Sequence, residues 1–243
     1  MLIKACLNGG TTRDDHPSVP QTPAELAADA SAAASAGAGA VHLHPRDSSG
    51  TETLDPDAVL AAVAAVRAAV PATPVGVTTG LWAADGDPAR RMSLVAGWAG
   101  SDRPDFASVN LSEPGADELA GLLGDMGIAV EAGIWSAADA DRLAASAFGH
   151  GVLRILVEPQ DGEPESAVAL AAYIEAALDR HGFAAPRLHH GYGLATWSVL
   201  RAAIRLGRDI RVGLEDTVVL ADGRRASGNR ELVEAAVSLA SEA

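Results

Sequence analysis

Lysine and cysteine are almost absent from this chain of 243 residues. Lys4 is the single lysine among 18 basic residues, and Cys6 is the single cysteine. A Schiff-base enzyme would have to use Lys4, and the chain has no Gly-Lys-Ser/Thr triplet from which an ATPase phosphate loop could be built. One cysteine cannot form a disulfide framework, a cysteine-rich zinc finger or a cysteine-held iron–sulfur cluster. Any chemistry of this chain therefore depends on other side chains.

Positive charge is scarce as a whole, because 32 acidic residues leave a formal net charge of −14. Binding to nucleic acid needs a clustered Lys/Arg face, so we expect no nucleic-acid partner. No apolar run approaches the roughly 20 residues of a membrane span, and the apolar stretch in MLIKACLNGG is too short for a signal peptide. We therefore expect a cytoplasmic protein with no membrane partner.

One pattern repeats eight times: a short apolar run, a polar loop, and an Ala- and Leu-rich helical stretch. The apolar runs are typical of strands that are buried on both faces. The predicted strands are Leu2–Leu7, Ala40–His44, Val75–Thr78, Phe106–Asn110, Ile128–Glu131, Val152–Val157, Arg187–His190 and Ile210–Leu214. The predicted helices are Pro23–Ala36, Pro56–Ala69, Pro88–Gly97, Gly115–Leu123, Ala137–Ala147, Pro164–His181, Leu194–Leu206 and Asn229–Ala240.

Eight such units in one chain amount to about 30 residues each, the size of one strand–helix repeat. Strands that alternate with helices indicate a parallel sheet, and eight repeats most simply close into a (β/α)8 TIM barrel over residues 1–243, as a single domain. An open doubly wound sheet is the alternative, but it would need a glycine-rich dinucleotide turn after the first strand. The loop in that place, LNGGTTRDDHPSVPQTP, is too long and too polar for such a turn.

Two histidines lie at the carboxyl end of the second strand, where active sites gather in barrels. His42 and His44, in the segment VHLHPRD, are two residues apart and therefore point to the same face of the strand. Imidazoles that converge in this way suit Zn²⁺ or a similar divalent ion. A pair of histidines hydrogen-bonded to nearby backbone is the alternative interpretation.

The eighth strand ends in RVGLEDT, which places Glu215, Asp216 and Arg211 at the same end of the barrel. One carboxylate together with the two histidines would make a three-ligand metal site with an open position. The other carboxylate could then be a general base that Arg211 orients. The alternative is a pair of acids that caps the following loop.

Several other strand ends are polar. The hydroxyl and amide side chains that could hold a carboxylate or ketone oxygen are Thr78, Ser108 and Asn110. Glu131 and Glu158 follow the fifth and sixth apolar runs, either as acids at the mouth of the barrel or as buried acids paired with an arginine such as Arg154. The Gly-Tyr-Gly segment before the seventh helix could expose backbone N–H groups to an anion.

The segments NGGTTRDDHPSVPQTPAELA, VHLHPRD, VTTG, SVN and RVGLEDT occur in this order along nearly the whole chain. Together they resemble the β-keto acid cleavage enzymes, of which the 3-keto-5-aminohexanoate cleavage enzyme is the best-known type. The resemblance implies a homo-oligomeric barrel, a dimer or a tetramer, that condenses a β-keto acid with acetyl-CoA as co-substrate. The products would be acetoacetyl-CoA and a shortened CoA ester, formed by a Claisen/retro-Claisen route without a Schiff base.

Carried over by position, the resemblance makes His42, His44 and Glu215 the zinc ligands. Asp216 becomes the base that removes a proton from the keto acid, with Arg211 beside it. The hydroxyl residues of the third and fourth strands fall where the family holds its substrate. A set of two histidines and one glutamate favours zinc without excluding another divalent metal such as cobalt or manganese.

Two positions depart from the family pattern. Gly10 aligns where enzymes acting on the amino-bearing keto acid carry an acidic residue, so we expect a substrate without that ammonium group. Leu81 and Trp82 follow VTTG where a second glycine is common, which indicates a differently shaped and more apolar pocket.

Two other functions fit the same residues. One is a metal-dependent aldolase or lyase on the same barrel that does not use CoA, and the other is a non-catalytic barrel that binds a metal or ligand. Lys4 begins the first strand and is therefore expected at the end of the barrel opposite the mouth, out of reach for a Schiff base.

Overall fold

The computed structural model describes residues 1–242 and contains a closed barrel of eight parallel strands. The strands pair in chain order, and the first strand also pairs with the last. They are β1 (Ile3–Cys6), β2 (Ala40–Leu43), β3 (Val75–Val77), β4 (Phe106–Asn110), β5 (Ala129–Ile134), β6 (Arg154–Val157), β7 (Arg187–His189) and β8 (Asp209–Val212). The predicted (β/α)8 barrel is confirmed, and pairing of β1 with β8 excludes the open sheet.

Helices cover the outside of the barrel, one after each strand. Within residues 1–242 they are α1 (Pro23–Ser35), α2 (Pro56–Ala69), α3 (Pro88–Val95), α4 (Ala116–Asp125), α5 (Ala137–Ala145), α6 (Pro164–His181), α7 (Thr196–Arg205) and α8 (Asn229–Ser241). Short 3₁₀ helices lie at Leu81–Ala84, Gly149–Gly151 and Gly193–Ala195. None of the helices in this part of the chain has the length and hydropathy needed to cross a membrane.

Local sequence signals explain where the first helices begin. Thr22 precedes α1, its hydroxyl accepts a hydrogen bond from the Glu25 N–H, and Glu25 Oε2 accepts one from the Thr22 N–H. Asp55 caps α2 by accepting a hydrogen bond from the Asp57 N–H. Both caps are followed by a proline, which lacks the N–H that would be unsatisfied at that position.

Side chains of each strand alternate between the helix layer and the barrel interior. On β7, His189 points outward and its Nε2 lies 2.8 Å from Glu175 Oε1 of α6. The next residue, His190, lies in the interior beside Asp216. The main hydrophobic core is the outward layer, where buried strand residues such as Val41 pack with helical residues. The interior is free to hold polar groups.

The fifth strand is three residues longer than predicted at its carboxyl end, because Gly133 does not interrupt it. A Cβ at Gly133 would lie 2.7 Å from Asn110 Oδ1 and 3.2 Å from Glu158 Oε1, so only glycine fits between these two side chains. Glu131 consequently lies deep in the barrel instead of at its mouth.

The eighth strand ends earlier than predicted, at Val212. The Leu214 N–H donates to Asn229 Oδ1 of α8 at 2.7 Å, so the chain leaves the sheet there. The Asp216 N–H then donates to the Gly213 carbonyl at 2.9 Å, which closes a turn. Because Glu215 and Asp216 lie in this turn, they are not forced onto opposite faces.

Candidate active site

The carboxyl end of β2 carries His42 and His44, and the loop after β1 fixes the second of them. Asn8 is fully buried; its amide nitrogen donates to the His44 carbonyl at 2.8 Å, and its amide oxygen accepts the His44 N–H at 2.9 Å. Both histidines are buried, and their rings meet edge to face with centroids 5.1 Å apart. The backbone of His44 is therefore held by two reciprocal hydrogen bonds with the Asn8 side chain.

The turn after β8 brings Glu215 to the same place. His42 Nε2 lies 3.8 Å from Glu215 Oε2, and His44 Nε2 lies 3.4 Å from Glu215 Oε1. Gly9, in the segment NGG, has a φ of +52°, and a Cβ there would lie 2.1 Å from Glu215 Cγ. The glycine in the first loop thus leaves the space that the glutamate side chain occupies.

His42, His44 and Glu215 could hold a metal ion, because one ligand atom from each residue can be chosen such that all lie within 4.8 Å of one another. Glu215 Oε2 is buried and has no hydrogen-bond partner. A buried carboxylate oxygen without a donor, facing two imidazoles, has the surroundings of a metal ligand. The donor set fits a divalent cation.

The pKa values of the two imidazoles are shifted in opposite directions. Burial lowers the pKa of His42 well below its usual value. Burial also lowers the pKa of His44, but the charge of Glu215 and hydrogen bonds with Glu215 and Glu52 outweigh it and raise that pKa to about 9. Since a metal binds the neutral ring, a cation at this site has to displace a proton from His44.

Arg211 joins the two carboxylates of the turn. Its Nη2 donates to Glu215 Oε1 at 2.5 Å and to Asp216 Oδ1 at 2.7 Å, and its Nε lies 3.1 Å from Asp216 Oδ2. Burial raises the pKa of both carboxyls, but the guanidinium charge outweighs it, so both pKa values lie below the usual range. The arrangement keeps both acids ionised in a buried site.

Asp216 has a second partner in His190, whose Nδ1 lies 3.3 Å from Asp216 Oδ1. His190 Nε2 lies 3.5 Å from Glu158 Oε2, and the Trp135 indole N–H donates to the same oxygen at 3.0 Å. Burial and Arg211 lower the pKa of His190, but the two carboxylates outweigh them and raise it. His190 thus lies between two carboxylates, within ion-pair distance of Glu158 and of Asp216.

The model of one protein family, the beta-keto acid cleavage enzymes, matches residues 1–243. The chain belongs to this family. It is 26% identical over 265 residues to the 3-keto-5-aminohexanoate cleavage enzyme of Fusobacterium nucleatum, a match that covers 100% of this chain and 92% of the relative. Membership supports an enzyme that cleaves small β-keto acids.

Solved structures with the same fold include ObcA. Its apo structure is 20% identical with a TM-score of 0.75, and its ternary complex with C4-CoA adduct and oxalate is 21% identical with a TM-score of 0.74. Both matches cover 91% of this chain but 61% and 63% of those chains, so the chain spans about three fifths of ObcA. A type I 3-dehydroquinate dehydratase from Clostridium difficile is 13% identical with a TM-score of 0.65, and covers 100% of this chain and 93% of its own. At these identities the likeness concerns the fold.

In this member of the family, the residues expected to hold substrate line the third and fourth strand ends. Thr78 is buried, and its hydroxyl accepts the Gly80 N–H at 3.0 Å. Ser108 is partly buried. Asn110 donates to Glu113 Oε1 at 2.9 Å, which orients its amide oxygen. Strand alternation places Ser108 and Asn110 on one face of β4.

The buried acids divide between two levels of the barrel. Glu131 lies on the floor, with Oε2 2.6 Å from Lys4 Nζ and Oε1 3.2 Å from Arg154 Nε, as expected of a buried acid paired with Arg154. Glu158 lies beside His190 and, within residues 1–242, forms no ion pair with an arginine, so of its two interpretations the acid at the mouth of the barrel remains. Lys4 is fully buried in this ion pair, which agrees with its placement away from the mouth.

The Gly-Tyr-Gly segment uses one of its backbone donors within the structure. The Gly193 N–H donates to the Asp216 carbonyl at 2.7 Å, so this donor is not free for an anion. A 3₁₀ helix begins at the same residue, over Gly193–Ala195. The segment thus holds the backbone of the turn after β8.

Sequence reasoning missed Asn8 and Glu52, and gave His190 no role. Asn8 directly follows β1 in the segment NGG, and that position at the mouth was a usable signal. His190 follows β7 in the same way. Glu52 lies eight residues beyond His44 in a segment without a recognisable motif, so nothing in the sequence alone points to it.

Proposed function

We propose that this enzyme condenses a β-keto acid with acetyl-CoA, with zinc held by His42, His44 and Glu215. Only one CoA enters the reaction, so only one CoA ester can leave. The products that balance are therefore acetoacetate and the shortened acyl-CoA, and not acetoacetyl-CoA beside a second CoA ester. The observation that carries the proposal is the buried His2Glu donor set beside the Arg211–Asp216 pair, in a chain of the β-keto acid cleavage family. Another divalent ion of similar ligand preference would suit the same donors. When bound, such an ion polarises the keto oxygen of the substrate and so acidifies the neighbouring carbon.

Asp216 receives the proton from that carbon. Arg211 holds Oδ1 through Nη2, and His190 lies on Oδ1 as well, which leaves Oδ2 with the single weaker contact to Arg211 Nε at 3.1 Å. Oδ2 is therefore the oxygen that accepts the proton. The side chain has no exposed surface, so the carboxylate has to change its contact with Arg211 when substrate binds.

Thr78, Ser108 and Asn110 orient the substrate. Hydroxyl and amide groups on the ends of neighbouring strands can donate to a carboxylate and a ketone oxygen at once. We expect the chain to act as a homo-oligomer, a dimer or a tetramer, in the cytoplasm.

A substrate panel tests the overall reaction. The purified enzyme, with zinc, is incubated with acetyl-CoA and a series of β-keto acids, and acetoacetate and the new acyl-CoA are measured by mass spectrometry. We expect both products with at least one keto acid. Cleavage without any use of acetyl-CoA would instead indicate a metal-dependent lyase, and no conversion across a broad panel would contradict both.

The base is tested by deuterium exchange, which needs no acetyl-CoA. In D2O, the enzyme should accelerate exchange at the carbon next to the keto group above the protein-free rate, followed by NMR. Asp216→Asn should keep its zinc and lose this acceleration by about 10²-fold or more. Asp222→Asn, an exposed acid farther along the same segment, serves as control and should exchange as the unaltered enzyme does. Undiminished exchange in Asp216→Asn would refute the assignment.

A further inference from the structure

The segment after His44 turns back on itself as a small hairpin, in which Arg46 and Glu52 form an antiparallel bridge. The Arg46 guanidinium donates to the carbonyls of Gly50 at 2.8 Å, Gly9 at 2.7 Å and Thr11 at 2.8 Å. The bond to Gly50 closes the hairpin itself, and the bonds to Gly9 and Thr11 tie it to the loop after β1. Glu52 is therefore carried on a fixed backbone at the edge of the metal-ligand set.

The Glu52 carboxylate bridges a metal ligand and a tryptophan. Its Oε2 lies 2.7 Å from His44 Nδ1 and 2.8 Å from Trp82 Nε1, which donates to it. The rings of Trp82 and His44 are nearly parallel, with an angle of 23° and centroids 6.1 Å apart. One oxygen thus receives two donors whose rings also face each other. We call Glu52 and Trp82 the His44 clamp.

One glycine leaves room for the clamp, and a second borders it. A Cβ at Gly80 would lie 2.3 Å from the Trp82 ring, whereas a Cβ at Gly10 would make an ordinary contact, 3.4 Å from Glu52 Oε1. Gly10 and Trp82 are the positions at which this chain departs from the family pattern that its motifs resemble. Both departures border the same carboxylate, so they form one structural feature.

The clamp distinguishes the two imidazoles. A His44 ring that donates from Nδ1 to Glu52 presents the lone pair of Nε2 towards Glu215, 3.4 Å away. His42 Nδ1 is buried and has no hydrogen-bond partner. Of the two histidine ligands, His44 is the one whose tautomer and ring orientation are set by a neighbouring side chain.

We propose that Glu52 is a positioning residue that fixes the tautomer and orientation of His44, and that Trp82 holds Glu52 in place and acts through it. This inference rests on the metal site of the proposed function and on no later step of the reaction. A carboxylate behind a histidine ligand typically changes metal affinity by 10- to 100-fold when it is removed. Glu52 therefore sets how tightly the site holds zinc.

Zinc affinity is the test, measured on the full chain by competition with a chromophoric chelator. Glu52→Ala should bind zinc about 10- to 100-fold more weakly than the unaltered protein. Glu52→Gln keeps an oxygen acceptor for the Nδ1–H and should recover part of that loss. Asp47→Asn removes an exposed negative charge from the same hairpin without touching an imidazole, and its affinity should be unchanged.

A spectroscopic measurement separates positioning from a general loss of structure. In the zinc-loaded protein labelled with ¹⁵N-histidine, the His44 Nδ1–H should give a protected imidazole proton resonance in NMR. This resonance should remain in Glu52→Gln and in Asp47→Asn and disappear in Glu52→Ala.

The role of Trp82 is tested by a double-mutant cycle. Trp82→Phe keeps a ring against His44 but loses the N–H donor, and it should weaken zinc binding less than Glu52→Ala does. In the Glu52→Ala background, Trp82→Phe should have no further effect, because it acts through Glu52. Additive losses would overturn this part of the inference.

The outcomes distinguish the inference from the proposed function. If the unaltered protein binds no zinc, the metal site itself is wrong. If it binds zinc tightly and Glu52→Ala binds equally well, or if Asp47→Asn weakens binding as much as Glu52→Ala, the positioning role is overturned while the metal site stands.

Discussion

At the scale of single residues, the candidate site depends on glycines as much as on ligands. Gly9 has the left-handed φ that favours glycine, and its missing side chain is the space filled by Glu215. Gly223 has a similar φ of +85°, but a Cβ there would meet nothing within 4 Å. Substitution at Gly223 therefore measures the cost of the backbone conformation alone, whereas substitution at Gly9 adds the cost of a clash with Glu215.

We expect Gly9→Ala to weaken zinc binding, because its Cβ would displace Glu215, and to lower the free energy of unfolding by about 2 to 4 kcal/mol. Gly223→Ala should lower it by about 1 to 2 kcal/mol, the cost of a left-handed non-glycine residue. Chelator competition and urea denaturation measure the two effects. Equal zinc affinity in the two variants would contradict the space argument for Gly9.

The two histidines proposed as metal ligands could be predicted from sequence because they follow a simple geometric rule, whereas the choice of Glu215 over Asp216 came from the family resemblance. His42 and His44 are two residues apart on a strand, and strand ends converge at the mouth of a barrel. Glu52 could not be predicted, since it is brought to His44 by a hairpin held by Arg46. Its position depends on contacts with carbonyl groups of another loop, which leave no pattern in the sequence.

At the scale of helices and strands, the first residue of α8 connects three elements. The Asn229 amide donates to the Leu7 carbonyl at 2.7 Å and to Asp29 Oδ2 of α1 at 2.6 Å, and its oxygen accepts the Leu214 N–H. The last bond ends β8 and begins the turn that carries Glu215. One side chain at a helix start therefore helps to place Glu215, a proposed metal ligand.

Asn229→Ala should lower the free energy of unfolding by about 1 to 3 kcal/mol for each buried partner left unsatisfied. It should also weaken zinc binding, because the turn that carries Glu215 loses its anchor. Thermal unfolding of the metal-free protein and chelator competition measure these effects. Ser238→Ala, a substitution in the same helix away from the barrel, is the control. Unchanged zinc affinity would show that the turn holds its shape without Asn229.

The element boundaries that were predicted less well share one cause. Gly133 resembles a turn residue, but β5 continues through it because the side chains of Asn110 and Glu158 occupy the adjacent space. Leu214 resembles the end of a strand, but Asn229 removes it from the sheet. In both cases a residue distant in sequence decides the boundary, whereas the helix starts at Pro23 and Pro56 depend on neighbours in sequence and were correct.

The partner of Asn229 gives the protein a pH response. Burial raises the pKa of Asp29 from 3.8 to about 6, and the hydrogen bond from Asn229 lowers it only in part. The folded protein therefore binds this proton more tightly than the unfolded chain does. The contribution to stability is complete below the unfolded pKa of 3.8 and is lost as the pH rises through about 6.

We expect Asp29→Asn to remove this pH-dependent contribution to the free energy of unfolding. Between about pH 4 and pH 6 the unaltered protein should lose on the order of 2 kcal/mol of stability through this group, and the variant should lose correspondingly less. Urea denaturation at a series of pH values measures the difference. A pH profile parallel to that of the unaltered protein would contradict the role of Asp29.

At the scale of the whole molecule, the floor of the barrel contains a cluster of buried charged side chains. Lys4 Nζ lies 5.7 Å and Arg154 Cζ 5.5 Å from the centroid of the Phe106 ring, and both cations pair with Glu131. Two cations thus share one buried anion and one aromatic ring. Replacement of the anion leaves two unpaired charges, whereas loss of Lys4 leaves the pair of Glu131 with Arg154.

We therefore expect Glu131→Gln to lower the free energy of unfolding by about 3 to 5 kcal/mol. Lys4→Met should cost clearly less and should leave the β-keto acid reaction intact, since no covalent step uses the lysine. Urea denaturation measures the stability, and formation of acetoacetate from a β-keto acid and acetyl-CoA measures the activity. A complete loss of activity in a folded Lys4→Met protein would reopen Schiff-base chemistry.

The pairing of β1 with β8, which closes the barrel, has a consequence for the order in which the parts of the protein assemble during synthesis. Two hydrogen bonds join the loop after β1 to the last quarter of the chain. Thr11 Oγ1 donates to the Leu214 carbonyl at 2.8 Å, and His16 Nε2 lies 2.8 Å from the Ala226 carbonyl. On the ribosome, His42 and His44 emerge early, but the carboxylate that completes their set and the strand that closes the barrel emerge near the end. The three proposed ligands are together only after synthesis is nearly finished, so we expect metal loading to follow folding of the barrel.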